Sequence, residues 1–239
     1  AAVASDLNAQ LIATAATRPG RCLEIGAGRG TKTYVMMCQA KRAGYERQHT
    51  ALDLHDRKCD QNLARLHKAG ITGVRTVSGD ACELDAVLTS FDAMLGEPVK
   101  FDTVFIDAPC SGTGTMRRHP EIPWRLAESD VTCELPKLQL TMLKEASARV
   151  AVGGELIYAT CSVFDEENTQ VVEAFLSSPE GAGFSVAPLS EAQILQLPEF
   201  AQAKKLVSVR QNDRGLFQSV PVNADSYDGH FCARLVRNS

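Results

Sequence analysis

The sequence lacks a long apolar run, a signal peptide and any pair of closely spaced cysteines. No stretch approaches the roughly 20 apolar residues that a membrane-spanning helix needs. The start, AAVASDLNAQLIATAAT, has neither the basic nor the apolar region of a secretory signal. These absences argue against a membrane or secreted protein, and we expect a cytoplasmic one. Because the first residue is not Met, we also expect a fragment whose upstream partner domain is absent.

The eight cysteines are spread along the whole chain, at positions 22, 38, 59, 82, 110, 133, 161 and 232. No CxxC pair is present to chelate zinc, so no metal site is predicted. In the reducing cytosol we expect free thiols rather than disulfides. Most of these cysteines are predicted to be small buried residues.

The chain also lacks an excess of positive charge, with 25 Lys and Arg against 29 Asp and Glu. A nucleic-acid interface would therefore have to rest on a local basic patch, since phosphate contacts need Lys and Arg. The length of 239 residues and the hydrophobic content of 44% are ordinary for a globular protein. One large α/β domain or two small ones would account for them.

Strand and helix patterns alternate along the chain after an opening helix that Arg18-Pro-Gly20 ends. Strands are predicted in RCLEI, TALDL, GVRTVSGD, FDTVFID and GGELIYAT, and helices from about Thr31, from about Asp56 and in LPKLQLTMLKEASARV. Such alternation is typical of βαβ units with a parallel sheet. In DEENTQVVEAFLSS we expect a helix capped by Asp165, and KLVSVR and GHFCARLV predict two more strands. One domain is the simplest organisation.

A glycine-rich loop, in CLEIGAGRGTKT, places Gly26, Gly28 and Gly30 between a strand and a helix. Glycines let the backbone approach a ligand, and free N–H groups at a helix start attract negative charge. Asp53 and Asp80 end the next two strands, where carboxylates can bind ribose hydroxyls and an adenine amino group. The three strand ends together predict an adenosine pocket. A tight connection and two capping aspartates would give the same pattern.

The glycine spacing distinguishes two classes of adenosine-binding enzyme. The GxGxxG of dinucleotide dehydrogenases would need a glycine where this chain has Thr31. Glu24-Ile-Gly-Ala-Gly-Arg-Gly is more similar to S-adenosylmethionine (SAM) methyltransferases.

Two cysteines follow predicted strands that one helical crossover separates. Cys110 lies in DAPCSGTG and Cys161 in YATCS, so in a parallel sheet both would face the same crevice. Asp107, at the end of its strand, would face it too. Small residues in two loops are the alternative interpretation.

DAPCSGTG and YATCS resemble the paired signature motifs of the RNA 5-methylcytosine methyltransferases, the Nol1/Nop2/Sun family. SGTGTMRRHPEIPWR and YATCSVFDEENTQVVEAFL are most similar to its bacterial Sun (Fmu, RsmB) branch, which acts on 16S rRNA. The resemblance covers essentially the whole chain. It implies one catalytic domain over residues 1–239, with a Rossmann-like class I SAM-dependent methyltransferase fold. In that fold a mostly parallel seven-stranded sheet, its last strand reversed, has helices on both faces. Family members usually carry an RNA-binding region before this domain.

The resemblance implies methyl transfer to carbon 5 of a cytosine through a covalent intermediate. Carbon 5 does not attack SAM directly, so a thiolate must first add to carbon 6. Cys161 matches the nucleophile of the family. Asp107 matches the acid that binds the ring nitrogen and exocyclic amine, and Cys110 the thiol associated with proton loss and product release. We expect a depressed pKa at Cys161.

Cofactor and RNA residues follow from the same matches. SAM is expected to contact Glu24, Gly26, Ala27, Gly28, Gly30, Lys32, Asp53, Lys58, Asp80, Ala81 and Asp107. RNA is expected to contact Arg117, Arg118, His119, Trp124 and Arg125, because guanidinium groups hold phosphates and an indole stacks on a base. Burial of Trp124 in the core is the alternative. The predicted partner is 16S rRNA; another RNA, such as tRNA, or an inactive RNA-binding homologue would fit the same residues.

Overall fold

The computed structural model describes residues 4–223 and 226–239, and their core is a twisted sheet of eight strands. The strands are β1 Gly20–Ile25, β2 Arg47–Asp53, β3 Val74–Ser78, β4 Phe101–Asp107, β5 Val150–Thr160, β6 Phe184–Ala187, β7 Phe217–Ser219 and β8 His230–Arg237. Their order is β3-β2-β1-β4-β5-β8-β6, and β7 also pairs with β8. The first five strands are parallel, whereas β8 runs antiparallel to β5, β6 and β7. The expected mostly parallel sheet with a reversed last strand is confirmed, and the short β7 is an eighth strand beside the seven expected.

Eight α-helices connect the strands in the described part of the chain. They are α1 Leu7–Ala15, α2 Thr31–Arg42, α3 Asp56–Lys68, α4 Leu84–Leu95, α5 Ile122–Arg125, α6 Leu135–Ser147, α7 Thr169–Leu176 and α8 Ala201–Ser208. The helices predicted from Thr31 and from Asp56 are confirmed. None of the described helices has the length and apolar character that crossing a membrane requires.

Two hydrophobic cores lie on opposite faces of the sheet, because successive strand residues point to opposite sides. Along β5, Leu156 and Tyr158 join the core formed with α4, α6 and α7. Ile157 and Ala159 join the core formed with α1, α2 and α8. Burying both faces fixes the central strands, so the carboxyl ends of β4 and β5 stay side by side.

The strand predicted in KLVSVR is wrong, since these residues belong largely to α8. Phe200, Ala203 and Val207 pack into one core at helical spacing, whereas Val209 is 70% exposed. A strand would alternate these side chains between two faces and bury only part of this set. The tertiary contacts therefore override the β-branched composition of the segment.

The predicted cap at Asp165 is also wrong. Asp165–Glu167 forms a short 3₁₀ turn, and α7 begins only at Thr169, after Asn168. The Asn168 side chain accepts a hydrogen bond from Thr160 Oγ1 and donates one to the Ser162 carbonyl. These bonds tie the start of α7 to the loop after β5, so contacts with that loop determine the residue at which the helix starts.

Candidate active site

The carboxyl ends of β1, β2, β3 and β4 surround a cleft of about 360 Å³, which we name the glycine-loop cleft. Seven of the residues predicted to bind cofactor line it: Gly26, Gly28, Asp53, Lys58, Asp80, Ala81 and Asp107. Leu138 and Met142 of α6 form an apolar wall that the sequence patterns did not indicate. The sheet therefore brings the three predicted strand ends together, as the motif spacing required.

The glycine loop needs glycine for two separate reasons. Gly26, Gly28 and Gly30 have φ values of 76°, 55° and 80°, in the left-handed region. In addition, a Cβ at Gly26 would overlap the backbone carbonyl oxygen of Asp107, and one at Gly30 would overlap the Asn62 side chain. The loop thus packs against the end of β4, and the side of the loop that faces away from β4 lines the cleft.

Gly26→Ala is expected to destabilise the fold more than Gly44→Ala does. Both glycines have positive φ, but open space surrounds a Cβ added at Gly44. Gly44→Ala should cost about 1 kcal/mol, the backbone penalty alone. Gly26→Ala should cost at least about 2 kcal/mol more, because the rigid Asp107 carbonyl must move. Urea unfolding of the two variants measures the difference, and equal losses would contradict the close packing.

Asp53 is held in place by its own loop. Its Oδ2 accepts a hydrogen bond from Gly28 N at 2.9 Å, and its Oδ1 accepts one from His55 N at 3.1 Å. Lys58 Nζ lies 3.4 Å from Oδ1. A carboxylate oxygen has capacity beyond one bond, so this fixed group can still accept hydroxyl donors from the cleft. Asp80 combines both sequence interpretations, because it caps a 3₁₀ turn through Cys82 N at 2.8 Å and also lines the cleft.

Four predicted cofactor residues lie outside the cleft lining: Glu24, Ala27, Gly30 and Lys32. Glu24 is fully buried, and its Oε2 accepts hydrogen bonds from Thr33 Oγ1 at 2.7 Å and His49 Nε2 at 2.8 Å. The structure therefore places Glu24 in support of the loop, behind the glycines. Ala27 donates its backbone N–H to the Leu52 carbonyl.

Cys110 and Cys161 meet beside this cleft, with their Sγ atoms 3.3 Å apart. All eight cysteines are free thiols, as expected, but the prediction that most are buried is wrong, since only Cys22, Cys59 and Cys232 are. The two loops are also joined by a hydrogen bond from Gly114 N to the Cys161 carbonyl at 2.8 Å. The loops after β4 and β5 thus bring the sulfur atoms of two free thiols into van der Waals contact.

The pKa values of Cys110 and Cys161 are shifted in opposite directions. The hydrogen bond that the Cys110 S–H donates lowers the pKa of Cys161, and the Lys32 cation lowers it further, against burial and Asp107. The same bond, with burial, raises the pKa of Cys110 well above its ordinary value. Cys161 is therefore the more acidic thiol of the pair, and Cys110 is the donor that stabilises its ionised form.

Lys32 contacts Asp107, with Nζ 2.6 Å from Oδ2. Burial alone would lower the pKa of Lys32, but the ion pair with Asp107 outweighs it and the pKa is raised. The ammonium group therefore keeps its proton next to the sulfur pair. The sequence had assigned Lys32 to the cofactor, and the structure adds this contact with Asp107.

Cys161 is expected to react with iodoacetamide at lower pH than Cys82. Burial and the nearby Asp80 raise the pKa of Cys82 to about 11, whereas the pKa of Cys161 is lowered. Only the thiolate reacts, so near pH 7.5 Cys161 should be labelled first. Trypsin separates the two cysteines into peptides 150–204 and 76–100, and mass spectrometry of each gives the rate. Faster labelling of Cys82 would contradict the assignment.

A buried polar cluster lies beneath the two cysteine loops. It joins Ser111, Gln139, Ser162 and Glu167 through side-chain hydrogen bonds. This cluster was not predicted from the sequence, where DEEN indicates only a helix start. The signal available was an acid and an amide directly after the second cysteine motif.

The predicted RNA residues divide into anchored and free side chains. Arg118 Nε donates to Asp228 Oδ2 at 2.9 Å, and Asp228 is fully buried. Arg117 lies 3.7 Å from the same carboxylate, so both arginines hold the segment to the fold. Trp124 is 90% exposed, and the alternative that it fills the core is wrong.

A second cavity, of about 320 Å³, lies on the other side of Cys110. Cys110, Ser111, Arg125, Asp130 and Glu134 contribute to its lining. Arg125, one of the predicted RNA-binding residues, and the first cysteine loop therefore share one concave surface. That surface is open to a polar ligand next to the sulfur pair.

Comparisons with known proteins agree on one family. A family model described as 16S rRNA methyltransferase RsmB/F matches residues 12–236. The ribosomal RNA small subunit methyltransferase B of Pectobacterium atrosepticum is 37% identical over 138 residues, which are 58% of this chain and 27% of that protein. The protein of the same name from Salmonella arizonae is 33% identical over 163 residues, 68% of this chain and 35% of that protein. The chain thus spans about a third of the length of these relatives.

Solved structures share the fold over nearly the whole chain. The crystal structure of PH0851 has a TM-score of 0.77 and 25% identity, and covers 98% of this chain and 47% of that one. NSun6 from Pyrococcus horikoshii with SFG has a TM-score of 0.73 and 18% identity, over 98% of this chain and 53% of that one. The architecture is that of a Rossmann-like class I methyltransferase.

Proposed function

The chain belongs to the 16S rRNA methyltransferase RsmB/F family, and from this premise we propose that it methylates carbon 5 of a cytosine in 16S rRNA, with SAM as methyl donor. The observation that carries the proposal is the contact between Cys110 and Cys161 beside the glycine-loop cleft. Two thiols 3.3 Å apart that ionise in turn provide first a nucleophile and then, once that nucleophile has bonded, a proton acceptor. We further propose that residues 1–239 act as one catalytic domain.

The glycine-loop cleft fits SAM in shape and in donor chemistry. A side chain at Gly26 would not fit between the loop and β4, so backbone lines this part of the cleft. The fixed carboxylate of Asp53 suits ribose hydroxyls, and Asp80 suits an adenine amino group. Met142, Leu138 and Leu54 provide apolar cover for the adenine ring. When bound, SAM supplies the methyl group that carbon 5 takes up.

Cys161 begins the proposed reaction as the nucleophile. Its sulfur adds to carbon 6 of the cytosine, and the electrons of the carbon 5 to carbon 6 double bond make carbon 5 nucleophilic. Asp107 and Lys32 face the same site as an ion pair that holds a proton. This pair can donate a hydrogen bond to the ring nitrogen and accept one from the exocyclic amine, which stabilises the charge that develops during addition.

Cys110 completes the proposed reaction by removing the proton from carbon 5. In the free protein the pKa of Cys110 is raised first by its hydrogen bond to Cys161. Once Cys161 is bonded to carbon 6 it carries no charge, so this cause is removed and Cys110 becomes more acidic. Cys110 then loses its own proton to solvent, and its thiolate accepts the proton from carbon 5. The electrons of that C–H bond reform the double bond, and the bond from carbon 6 to sulfur breaks with its electron pair leaving on Cys161.

Trp124→Ala and Arg125→Ala are expected to weaken RNA binding without loss of stability. Trp124 is 90% exposed, and a stacked base is worth about 1–3 kcal/mol, or roughly 5- to 150-fold in affinity. Arg118→Ala should instead lower the unfolding temperature, because it removes the main partner of the buried Asp228 carboxylate. Filter binding at two salt concentrations, paired with thermal unfolding, separates the two effects. Unchanged affinity of Trp124→Ala would remove this residue from the interface.

The proposed function is tested by incubating the full-length parent protein with methyl-labelled SAM and unmodified 16S rRNA. Digestion to nucleosides should show label in 5-methylcytidine. Label in 5-methylcytidine of tRNA alone would move the substrate to another RNA. Binding of SAM without label in any RNA tested would contradict the proposed reaction, and absence of both would favour an inactive RNA-binding homologue.

A further inference from the structure

Glu167 makes hydrogen bonds to three separate parts of the active site. Its Oε2 accepts bonds from Ser111 N at 2.9 Å and from Gln139 Nε2 at 3.0 Å. Its Oε1 accepts a bond from Ser162 Oγ at 2.6 Å. Ser111 directly follows Cys110 and Ser162 directly follows Cys161. One carboxyl group therefore joins the two cysteine loops and helix α6.

The surroundings fix the position of Glu167. Its backbone carbonyl accepts a hydrogen bond from the Tyr158 hydroxyl at 2.6 Å, and Tyr158 is fully buried in β5. Gln139 Nε2 also donates to the Pro109 carbonyl at 2.9 Å, one residue before Cys110. The first cysteine is thus held on both sides by groups that depend on Glu167 and its partner Gln139.

Joining two loops through a buried carboxyl group costs desolvation free energy. Glu167 is fully buried, and none of the ion pairs found among residues 4–223 and 226–239 includes it. Burying such a group costs free energy that its hydrogen bonds only offset, so apolar side chains in place of the whole polar cluster would serve stability equally well. An apolar side chain could not set the spacing of two polar loops. The arrangement therefore favours a role in geometry over a role in stability.

We propose that Glu167 is a positioning residue, whose carboxyl group holds the Cys110 and Cys161 loops at the separation where the two sulfur atoms meet. The proposal rests on the proposed function, which gives the two thiols their roles. Glu167 does not touch the substrate or the reacting atoms. Its effect reaches the reaction only through its bonding partners Ser111, Ser162 and Gln139. Without it, the loops would keep only their direct links, such as those from Gly114 N to the Cys161 carbonyl and between the Ser111 and Ser162 hydroxyls, and the contact of 3.3 Å between the sulfurs would loosen.

Two substitutions at Glu167 test the link between the two cysteine loops: Glu167→Ala removes it, and Glu167→Gln retains it. Glu167→Ala removes the acceptors of three donors at once. Glu167→Gln keeps a carbonyl oxygen for Ser111 N and Gln139, while its new N–H can donate to Ser162 Oγ, since a hydroxyl can rotate to accept. The amide should therefore preserve the link, and it serves as the conservative rescue.

Glu155→Ala is the matched control. Glu155 is another buried glutamate, bonded to Arg234 at 2.6 Å and Arg18 at 3.2 Å. It lies on β5 six residues before Cys161, about 20 Å away at the rise of an extended strand. Its loss should destabilise the fold and leave the sulfur pair unchanged.

The primary readout is the pH profile of Cys161 alkylation, measured on peptide 150–204. The charged and titratable groups that face Cys161 include Cys110, Lys32, Asp107 and Arg118, and the hydrogen bond from Cys110 depends on the loop spacing. Glu167→Ala should move the profile to higher pH, whereas Glu167→Gln and Glu155→Ala should keep the wild-type profile. The measurement needs neither RNA nor SAM, so it decides the positioning role even if no methyl transfer to RNA is found.

Methyl transfer per molecule able to bind SAM is the second readout. Glu167→Ala should lower it by about 10- to 100-fold, the loss typical of a misplacement near 1 Å. Glu167→Gln should stay within about threefold of the wild type, because the number of hydrogen bonds is kept. Normalising to SAM binding removes any loss of folded protein.

A wild-type alkylation profile in folded Glu167→Ala would overturn the proposal. If that variant does not fold, Ser162→Ala decides instead, because of the three bonds to the Glu167 carboxyl group it removes one and leaves those from Ser111 and Gln139 in place. It also removes the contacts of the Ser162 hydroxyl with Ser111, Thr113 and Phe164 N, and it should shift the profile in the same direction. An unshifted profile in Ser162→Ala would then overturn the proposal.

Discussion

Cys161→Ala should lower methyl transfer at least about a thousandfold, because carbon 5 of cytosine is not activated without a nucleophile at carbon 6. The sulfur of Cys161 carries the lower pKa of the pair, and Cys110 is the donor that stabilises it. Cys110 should not replace it, since it follows a different strand and reaches the site from the other side of the contact. Single-turnover transfer from labelled SAM to RNA measures the loss.

Cys38→Ala is the control for this experiment. Cys38 is a free thiol on α2, so Cys38→Ala removes the same side-chain atom as Cys161→Ala does, at a site away from the sulfur pair. It should keep nearly full activity, and both variants should bind SAM as the wild type does. Substantial transfer by Cys161→Ala would contradict the assignment of the nucleophile.

Cys110→Ala should accumulate a covalent complex with RNA that survives a denaturing gel. Cys161 can still add to carbon 6 and the methyl group can still be taken up, but no group is placed to remove the proton from carbon 5. General-base removal typically contributes about 100- to 10,000-fold, so multiple turnover should fall by that amount. The enzyme should transfer about one methyl group per molecule and then stop.

The double variant Cys110→Ala/Cys161→Ala shows whether the adduct depends on Cys161. It should give no slow-migrating complex under the same conditions. An adduct-free gel with Cys110→Ala alone would remove the release role from Cys110. The sulfur contact would then serve only to stabilise the Cys161 thiolate.

Features set by local sequence were predictable, because each depends on a strand and the residues that end it. Apolar runs placed Asp53, Asp107 and Cys161 at strand ends, and the structure confirms all three positions. Parallel pairing then gathers these ends at one edge of the sheet without further information.

Features set by contacts between distant residues could not be predicted. The Lys32 to Asp107 pair joins residues 75 positions apart and the bond from Ser111 N to Glu167 joins residues 56 positions apart, and no local pattern indicates either contact. The inward side chain of Glu24 depends on His49 of the neighbouring strand. The helix in KLVSVR depends on a core that a short window does not show.

The most direct test of the account uses RNA that carries 5-fluorocytidine in place of cytidine. Fluorine at carbon 5 cannot leave as a proton does, so the adduct should accumulate on the wild-type protein in the presence of SAM. Trypsin places Cys161 in peptide 150–204 and Cys110 in peptide 101–117, and mass spectrometry locates the nucleotide. The nucleotide is expected on the Cys161 peptide. A nucleotide on the Cys110 peptide, or no adduct from protein that binds SAM and RNA, would contradict the assignment of Cys161 as the nucleophile.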